Sequence, residues 1–206
     1  MARPVESGPP LTEESLRERW IRLVDRVGAR LDRFKFARER ARARARLLRE
    51  GRPQEILVVC TGNICRSPYA EAVLRSILAE HGMKDIQVES AGFIGPDRPA
   101  EPRGLALAGQ RGFDLGSHRS RLVSIDDSSR FDLFLVMTRR HRKELVRRFR
   151  VDPDRIILLG DFDPDGGPER EIADPFGQED EVFTRSFDQI DRSIRGLCQT
   201  LARAGE

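Results

Sequence analysis

Four short apolar runs follow one another after residue 54, and segments of helical periodicity separate them. The first, third and fourth runs are rich in Ile, Leu, Val and Phe, as expected for strands that are buried on both faces of a parallel sheet, whereas Ile and Val alternate with polar residues in the second. Strands that alternate with helices predict an α/β fold, in which a doubly wound four-stranded parallel sheet has flanking helices and binds ligands at the carboxyl ends of its strands. The predicted strands are residues 56–60, 86–90, 131–137 and 156–159.

The pattern before residue 54 differs, because a polar start precedes one long amphipathic stretch. Residues 1–10 are expected to be disordered, and Thr12 is a candidate cap for a following helix. Apolar side chains recur at intervals of three or four positions at Leu16, Trp20, Leu23, Val24, Val27, Leu31 and Phe34. This stripe predicts an N-terminal helix that buries one face. We therefore divide the chain into an extension, residues 1–53, and a domain, residues 54–206.

Basic residues concentrate at the end of this extension. Residues 33–49 carry eight Lys and Arg residues and one acid, Glu39, a local charge of about +7, whereas the formal net charge of the whole chain is +3. Such a segment fits either a solvated helix that joins two elements or a basic arm. An arm would contact an acidic partner, an anionic membrane surface or a second copy of the chain, whereas nucleic acid is disfavoured.

One loop in the domain combines a nucleophile with phosphate-binding features. Cys60 ends the first predicted strand, and Arg66 follows six positions later, at the start of a predicted helix. Gly62 and Asn63 can adopt the left-handed backbone that a tight loop requires, and Pro68 suits the first turn of a helix. A strand, a loop and a helix in this order direct backbone N–H groups and the positive end of the helix dipole toward one point. The segment therefore predicts a phosphate-binding loop.

The residue types in this loop match the chemistry of a phosphate dianion. Backbone amides can surround the anion while the planar guanidinium of Arg66 binds two of its oxygens. The same positive field favours the thiolate form of Cys60, which is the nucleophilic form, and Ser67 can donate its hydroxyl hydrogen to that thiolate. The other loop residues expected around the phosphate are Thr61, Gly62, Asn63, Ile64 and Cys65.

The loop resembles that of the low-molecular-weight protein tyrosine phosphatases, whose signature is a Cys-x5-Arg-Ser loop near the start of the domain. The resemblance continues in the same order over about residues 54–203. The further matching segments are Ser90-Ala91-Gly92, Pro99-Ala100-Glu101-Pro102-Arg103, Ser117-His118-Arg119-Ser120-Arg121, residues 131–137 and Ile172-Ala173-Asp174-Pro175-Phe176. The fold of that family, a four-stranded parallel sheet with flanking helices, agrees with the strand pattern.

The resemblance implies a phosphoprotein phosphatase that hydrolyses phosphotyrosine through a phosphocysteine intermediate, without a cofactor or metal. The implied substrate is a tyrosine-phosphorylated protein, and a bacterial tyrosine kinase is one candidate. Cys60 is the implied nucleophile, Arg66 the phosphate clamp, and Asp174 the general acid that later acts as base. The resemblance alone selects Asp174, because Asp-Pro is usually just a turn and the chain also contains Asp152-Pro153 and Asp163-Pro164.

The resemblance also implies supporting roles around the loop. Asn63 is expected to hold the strained backbone of the loop with its side chain, while Ser90 and His118 form hydrogen bonds around it. Phe93 and Phe176 are expected to form the walls that contact the substrate ring.

Other positions leave alternatives open. Gly177 stands where members that prefer phosphotyrosine commonly carry a second aromatic residue. Ile64 stands where the protein-arginine phosphatases of the family carry threonine, and this favours the tyrosine-type pocket. Residues 109–132 contain no cysteine, so the relay of the arsenate reductases that share the fold is missing. The alternatives are a protein-arginine phosphatase, or a phosphate-reading scaffold whose basic helix carries the main function.

The cysteines and composition bound the remaining possibilities. Cys65 is either a redox partner that forms a reversible disulfide with Cys60 or a small buried side chain, and Cys198 is expected in the core. His81 and His141 lie in polar helical surroundings and are predicted to be solvated. No secreted disulfide framework or metal cluster is predicted. The chain has no apolar stretch of 18 residues and no apolar signal core at its start, so a cytoplasmic protein is expected.

Overall fold

Four parallel strands form the central sheet of the computed structural model, which describes residues 37–165 and 170–204. β1 pairs with both β2 and β3, and Leu57 thereby lies between Glu89 and Phe134. The predicted strands and the α/β fold are confirmed, with strand ends that differ from the prediction by at most two residues. The strands are β1 (Glu55–Val59), β2 (Gln87–Ala91), β3 (Leu133–Val136) and β4 (Ile156–Leu158), in the spatial order β2-β1-β3-β4.

Helices cover both faces of this sheet. They are α1 (Arg66–Glu80), α2 (Pro102–Gln110), α3 (Asp127–Arg130), α4 (Arg139–Phe149) and α5 (Asp180–Arg203), with 3-10 turns at Pro153–Arg155 and Leu159–Phe162. Residues 37–50 are also helical, and we call them the arm helix. The predicted disordered start at residues 1–10 and the predicted apolar stripe from Leu16 to Phe34 lie outside the described residues.

The side chains of β1 alternate between two hydrophobic cores, one on each face of the sheet. Ile56 and Val58 belong to the core that contains residues of α1 and α5, whereas Leu57 and Val59 belong to the core that contains residues of α4. All four side chains are fully buried. The continuous apolar run in the sequence therefore reflects burial on both faces, which is typical of a central strand in a parallel sheet.

The arm helix packs on the domain through Leu47, which is buried in the same core as the apolar residues of α5. Just after the arm helix, the guanidinium of Arg52 donates hydrogen bonds to the carbonyl oxygens of Leu201 and Ala202, at 3.0 and 3.1 Å. A cation at these carbonyls also interacts favourably with the negative end of the α5 dipole. The later part of the extension is therefore attached to the end of α5.

Candidate active site

The loop between β1 and α1 has the strained backbone that its sequence predicts, but at one position instead of two. Asn63 is left-handed, with φ of 52°. Gly62 does not have a positive φ, so the expectation for this residue is wrong. A Cβ atom at this position would lie 2.9 Å from Nη2 of Arg98, so a larger residue would shift the end of the Arg98 side chain. The two residues therefore shape the loop in different ways.

The carbonyl oxygens of residues 61–64 all accept hydrogen bonds from groups outside the loop. Phe93 N donates to Thr61 O at 2.7 Å, and Arg98 Nη2 donates to Gly62 O at 2.7 Å. His118 Nε2 donates to Asn63 O at 2.7 Å, and Glu101 N donates to Ile64 O at 2.9 Å. In a trans peptide the N–H points away from the C=O. The N–H groups of residues 62–65 therefore face the interior of the loop, where an anion would bind.

The Asn63 side chain joins the loop to the strands behind it. Its amide Nδ2 donates to Ser67 Oγ at 2.9 Å and to Ser90 Oγ at 2.8 Å. Its Oδ1 accepts from the backbone N–H of Arg121 at 2.9 Å. Asn63, Ser67 and Ser90 are all buried, so these bonds are protected from water. Asn63, Ser90 and His118 thus lie where the sequence prediction places them, around the loop.

Two donors converge on the sulfur of Cys60, which is buried at the end of β1. The backbone N–H of Asn63 lies 3.2 Å from Sγ, and the hydroxyl of Ser67 lies 3.1 Å from it. Because Ser67 Oγ already accepts a hydrogen bond from Asn63, its own hydrogen is free to point at the sulfur. Both contacts stabilise a thiolate more than a thiol.

Arg66 is the first residue of α1, and only 2% of its surface is exposed. Its Nη1 donates to the carbonyl oxygen of Ile172 at 3.0 Å, and its Nη2 contacts the carboxylate of Asp174. Its Nε is buried and has no acceptor among the described residues. A buried N–H without an acceptor costs about 1–3 kcal/mol, so this group is suited to receive an anionic oxygen.

The structure distinguishes the three Asp-Pro pairs by their contacts. The Asp152 side chain accepts from the N–H of Asp154 at 2.9 Å and caps a 3-10 turn. Asp163 pairs with Arg192 at 3.0 Å. Asp174 alone of the three contacts Arg66, and its side chain is 46% exposed. Of the three Asp-Pro carboxylates, that of Asp174 is therefore the one beside the phosphate loop.

His141 is buried at 3% exposure, so the prediction that it is solvated is wrong, whereas His81 is exposed as predicted. Nε2 of His141 lies 3.0 Å from Thr61 Oγ1 in the loop. Burial, with the positive charges of Arg66 and Arg140, lowers the pKa of His141 to about 3. The four-residue spacing of His141, Leu145 and Phe149 places this histidine on the buried face of α4. The same spacing is visible in the sequence and indicates a buried position.

Arg98 supports the loop and was not predicted from the sequence. Its Nη2 donates to the carbonyl oxygens of Gly62 and Ile94 at 2.7 and 2.9 Å, and its Nε donates to that of Gly95 at 2.8 Å. Arg98 lies in an irregular loop without periodicity, so the sequence contains no pattern that identifies it. One guanidinium thus links the loop after β2 to the phosphate loop.

The two predicted substrate walls occupy different environments. Phe93 is half-buried, and its ring centre lies 5.7 Å from that of His141 and 6.0 Å from that of Phe149. Phe176 is 60% exposed, and its N–H donates to Oδ1 of Asp174 at 3.3 Å. Of these two phenylalanines, Phe176 therefore presents an exposed ring surface close to Asp174.

All three cysteines are free thiols in buried positions. Burial and the neighbouring Cys60 raise the pKa of Cys65 above its ordinary range, and burial raises the pKa of Cys198 to about 12. Cys198 lies in the core, as predicted. The disulfide between Cys60 and Cys65 stays a prediction.

A cavity of about 560 Å³ lies beside the loop, and its lining includes Arg66, Asp174, His141 and, from α5, Arg185. Within the described ranges, no three metal-ligating side chains come together. No helix in the described part of the chain is long and apolar enough to span a membrane.

Comparisons with known proteins extend over the whole domain. The model of a family described as low molecular weight phosphotyrosine protein phosphatase matches residues 55–206. The low molecular weight protein-tyrosine-phosphatase Wzb of Escherichia coli (strain K12) is 34% identical over 149 residues, covering 71% of this chain and 94% of Wzb. The protein-arginine-phosphatase of Bacillus subtilis (strain 168) is 30% identical over 150 residues, covering 72% of this chain and 97% of the relative.

A solved structure also matches the fold. The tyrosine phosphatase Wzb from Escherichia coli K30, in complex with sulphate, aligns with a TM-score of 0.64 at 30% identity, covering 72% of this chain and 99% of that chain. The residues that match the family begin at residue 55, after the arm helix.

Proposed function

The chain belongs to the low molecular weight phosphotyrosine protein phosphatase family and is a phosphatase, and from this premise we propose that it hydrolyses phosphotyrosine in proteins. The predicted family and enzyme class are thereby confirmed. We propose further that the reaction passes through a phosphocysteine intermediate on Cys60. Arg66 is the proposed phosphate clamp, and Asp174 the proposed general acid and base.

In the first step, the thiolate of Cys60 attacks phosphorus. An S–P bond forms while the P–O bond to the tyrosine oxygen breaks. The N–H groups of residues 62–65 and the guanidinium of Arg66 stabilise the charge on the phosphoryl oxygens. Asp174 in its acid form gives its proton to the leaving oxygen, so that the products are a tyrosine side chain and phosphocysteine.

The contact between Arg66 and Asp174 suits this order of events. In the structure the carboxylate pairs with Nη2 of Arg66. A phosphate dianion carries more charge than a carboxylate and can bind the guanidinium with two oxygens, so it displaces Asp174. Because the Asp174 side chain is 46% exposed, it can exchange protons with solvent after displacement.

In the second step, water hydrolyses the intermediate. A P–O bond forms, the S–P bond breaks, and Asp174 takes the proton of the attacking water. Cys60 leaves as a thiolate, which the N–H of Asn63 and the hydroxyl of Ser67 stabilise at 3.2 and 3.1 Å. Inorganic phosphate is the second product.

The observation that carries this proposal is the convergence of groups on one loop. The buried sulfur of Cys60 accepts two hydrogen bonds, four loop carbonyls point outward, and Arg66 lies buried at the start of α1. Each of these features stabilises negative charge at the same place. A binding protein would need the anion site but not a stabilised thiolate with a carboxylate beside it.

The exposed ring of Phe176 supports an aromatic leaving group, because it can stack on the substrate ring beside Asp174. The proposed substrate is a tyrosine-phosphorylated protein, for which a bacterial tyrosine kinase is one candidate. A free catalytic thiol requires a reducing compartment, which supports the cytoplasm. The basic extension is proposed to contact an acidic partner, with an anionic membrane surface or a second copy of the chain as the alternatives.

The proposal is tested by metal-free turnover of p-nitrophenyl phosphate and of peptides that carry phosphotyrosine or phosphoserine. We expect turnover of the aryl phosphates only, and its loss in Cys60→Ser. The Ser117→Ala variant is the control, because Ser117 directly precedes the loop-supporting His118 but is itself exposed. Equal turnover of phosphoserine, or none of any substrate by reduced protein, would contradict the proposal.

A second candidate substrate is phosphoarginine, because the Bacillus subtilis relative is a protein-arginine-phosphatase at 30% identity. Ile64 separates the two candidates, since the resemblance places threonine at this position in the arginine enzymes. We expect Ile64→Thr to gain turnover of a phosphoarginine peptide relative to phosphotyrosine. Preferential turnover of phosphoarginine by the native protein would make this candidate the better one.

A further inference from the structure

One face of α5 is basic from Arg185 to the end of the helix, whereas Glu181 lies on the same face one turn earlier. Its positions, at intervals of three or four residues, are Arg185, Gln189, Arg192, Gly196, Gln199 and Arg203. From Arg185 onward, this face includes three arginines and no acidic or large apolar residue. The acids Asp188 and Asp191 of the same helix are each paired with Arg111 at 2.7 Å. From Arg185 to its end, the helix therefore presents one sign of charge along a continuous line.

This basic face connects the catalytic cavity with a second groove. Arg185 lines the cavity that also contains Arg66 and Asp174. Arg203 of this face and Arg195, which lies beside the face one turn after Asp191, line a groove of about 390 Å³ at the other end of the helix. An α-helix rises 1.5 Å per residue, so Arg195 lies about 15 Å and Arg203 about 27 Å along the helix axis from Arg185.

The arginines of α5 in this groove differ in their partners. Arg192 is paired with Asp163 at 3.0 Å and lies 3.7 Å from Asp165, the one carboxylate among the described residues that line the groove. Arg195 and Arg203 are exposed and have no carboxylate partner in the described part of the chain. Two cationic side chains in the groove are therefore available to an anionic ligand.

The arm helix adds a third cation to the groove. Arg44 lies over the ring of Phe162, with 5.9 Å between the guanidinium carbon and the ring centre. Its Nε is buried and lacks a hydrogen-bond acceptor among residues 37–165 and 170–204. Because the family match begins at residue 55, this part of the groove comes from the extension.

We propose that Arg44, Arg195 and Arg203 bind an acidic segment of the phosphoprotein substrate while its phosphotyrosine occupies the loop of Cys60. The inference rests on the proposed function and adds a second contact to it. An extended peptide spans about 3.3 Å per residue. If the phosphotyrosine is taken as the substrate residue that lies in the cavity lined by Arg185, the spans of about 15 and 27 Å place the acidic residues about five to eight positions from it.

A polypeptide fits this surface better than nucleic acid or a membrane. Single-stranded nucleic acid binds through aromatic platforms, and the ring in the groove lining, Phe162, is fully buried. Membrane-surface helices insert an apolar face, whereas the α5 face carries Arg, Gln and Gly, and Leu48 is the single large apolar side chain exposed among the described residues of the groove. The isolated arginines in line match carboxylates spaced along an extended chain.

The test compares two phosphotyrosine peptides, one with Glu and one with Gln at the fifth to eighth positions from the phosphotyrosine. The variants are Arg195→Gln/Arg203→Gln and, as a matched control, Arg147→Gln, which removes an exposed arginine from α4. We expect the native protein to prefer the Glu peptide and the double variant to raise its KM about three- to tenfold. The preference should decrease with salt and persist in Arg147→Gln.

A binding measurement separates this inference from the proposed function. Fluorescence anisotropy measures the binding of an unphosphorylated acidic peptide to the groove of the Cys60→Ser variant, in which no turnover occurs. Turnover of p-nitrophenyl phosphate by the native protein measures the activity of the loop alone. Loss of acidic-peptide binding in the double variant supports the groove even if turnover fails. An unchanged Glu preference in the double variant overturns it. The inference is also overturned if the protein shows no preference for the acidic peptide but uses these arginines to bind another ligand. The ligands to test are vesicles of phosphatidylcholine and phosphatidylserine, and duplex DNA.

Discussion

The phosphate loop and the segment around Asp174 lie in contact, yet they are held in opposite ways. In the loop, Cys60, Asn63 and Ser67 are buried and joined by hydrogen bonds. Asp174 and Phe176 are exposed, with 46% of the Asp174 side chain and 60% of Phe176 accessible. The site that binds the phosphoryl group is therefore preorganised, whereas the groups that meet the leaving side chain remain accessible.

This difference separates two tasks of the enzyme. Charge stabilisation requires fixed donors, since dipoles that must reorient cost energy during the reaction. Proton transfer requires a carboxylate that can exchange with solvent and move between the roles of acid and base. Changes in the loop should therefore reduce both stability and turnover, whereas changes at Asp174 or Phe176 should reduce turnover alone.

The largest effect is expected from Cys60→Ser, because serine is not ionised near neutral pH and cannot replace the thiolate as nucleophile. Turnover of p-nitrophenyl phosphate should fall by at least about 10⁴-fold. Phosphate binding, measured by isothermal titration, should persist because the loop donors remain. Residual turnover within tenfold of native would show that the loop acts without its cysteine.

Asp174→Asn is expected to lower kcat by about 10²–10⁴-fold, because asparagine cannot donate the proton or activate water. Unfolding by urea should be unchanged within error, since the side chain is half exposed. The loss should be greater for phosphotyrosine than for p-nitrophenyl phosphate, whose leaving group needs less protonation. A lower unfolding midpoint would contradict the separation of the two tasks.

Asn63→Ala tests the expectation that a change in the phosphate loop reduces both stability and turnover. The change leaves Ser90 and the N–H of Arg121 without their partner, and it places alanine at a φ of 52°. We expect a loss of about 2–4 kcal/mol in the free energy of unfolding, together with reduced kcat. Reduced kcat at native stability would show that the network serves only catalysis.

His141→Gln tests the buried histidine under the loop through the pH dependence of stability. The folded protein binds this proton only near pH 3, whereas the unfolded chain binds it near pH 6.5. Native stability should therefore fall as pH decreases from 6.5, by up to about 1.4 kcal/mol per pH unit from this group.

Urea titrations at pH 7 and pH 4.5 should show a shallower loss in His141→Gln than in the native protein. The exposed His81→Gln variant, the control, should lose stability as the native protein does. An identical pH slope in all three proteins would show that His141 takes up its proton at the same pH in the folded and unfolded states.

The smallest effect is expected from Phe176→Ala, which removes an exposed ring beside Asp174. KM for p-nitrophenyl phosphate should rise about two- to twelvefold, because one offset stacking contact is worth about 0.5–1.5 kcal/mol. Stability should not change, since the ring is 60% exposed. An equal KM for native and variant would show that the ring does not contact the substrate.

The parts of the site that the sequence could predict are those with local patterns. The apolar runs predicted β1, β3 and β4 because both faces of these strands are buried, whereas β2 carries the exposed Gln87 and the partly buried Glu89. The loop from Cys60 to Ser67 lies between the first run and a helix. The position of Asp174 came from resemblance, since three Asp-Pro pairs look alike in sequence.

Contacts between segments that are far apart in the chain could not be predicted from the sequence. Arg98 reaches Gly62 across 36 positions, and His141 reaches Thr61 across 80 positions. His141 was misjudged because its immediate neighbours are basic, although its four-residue spacing to Leu145 and Phe149 marks a buried helix face. Such residues are recognised only once the fold brings their segments together.

Mass spectrometry of rapidly quenched Asp174→Asn tests the proposed mechanism most directly. This variant should form phosphocysteine from p-nitrophenyl phosphate faster than it hydrolyses it, because the leaving group is good while water is no longer activated. We expect one phosphoryl group on the peptide that contains Cys60, and none in the double variant that also carries Cys60→Ser. Turnover by Asp174→Asn without a phosphoryl group on Cys60 would contradict the mechanism.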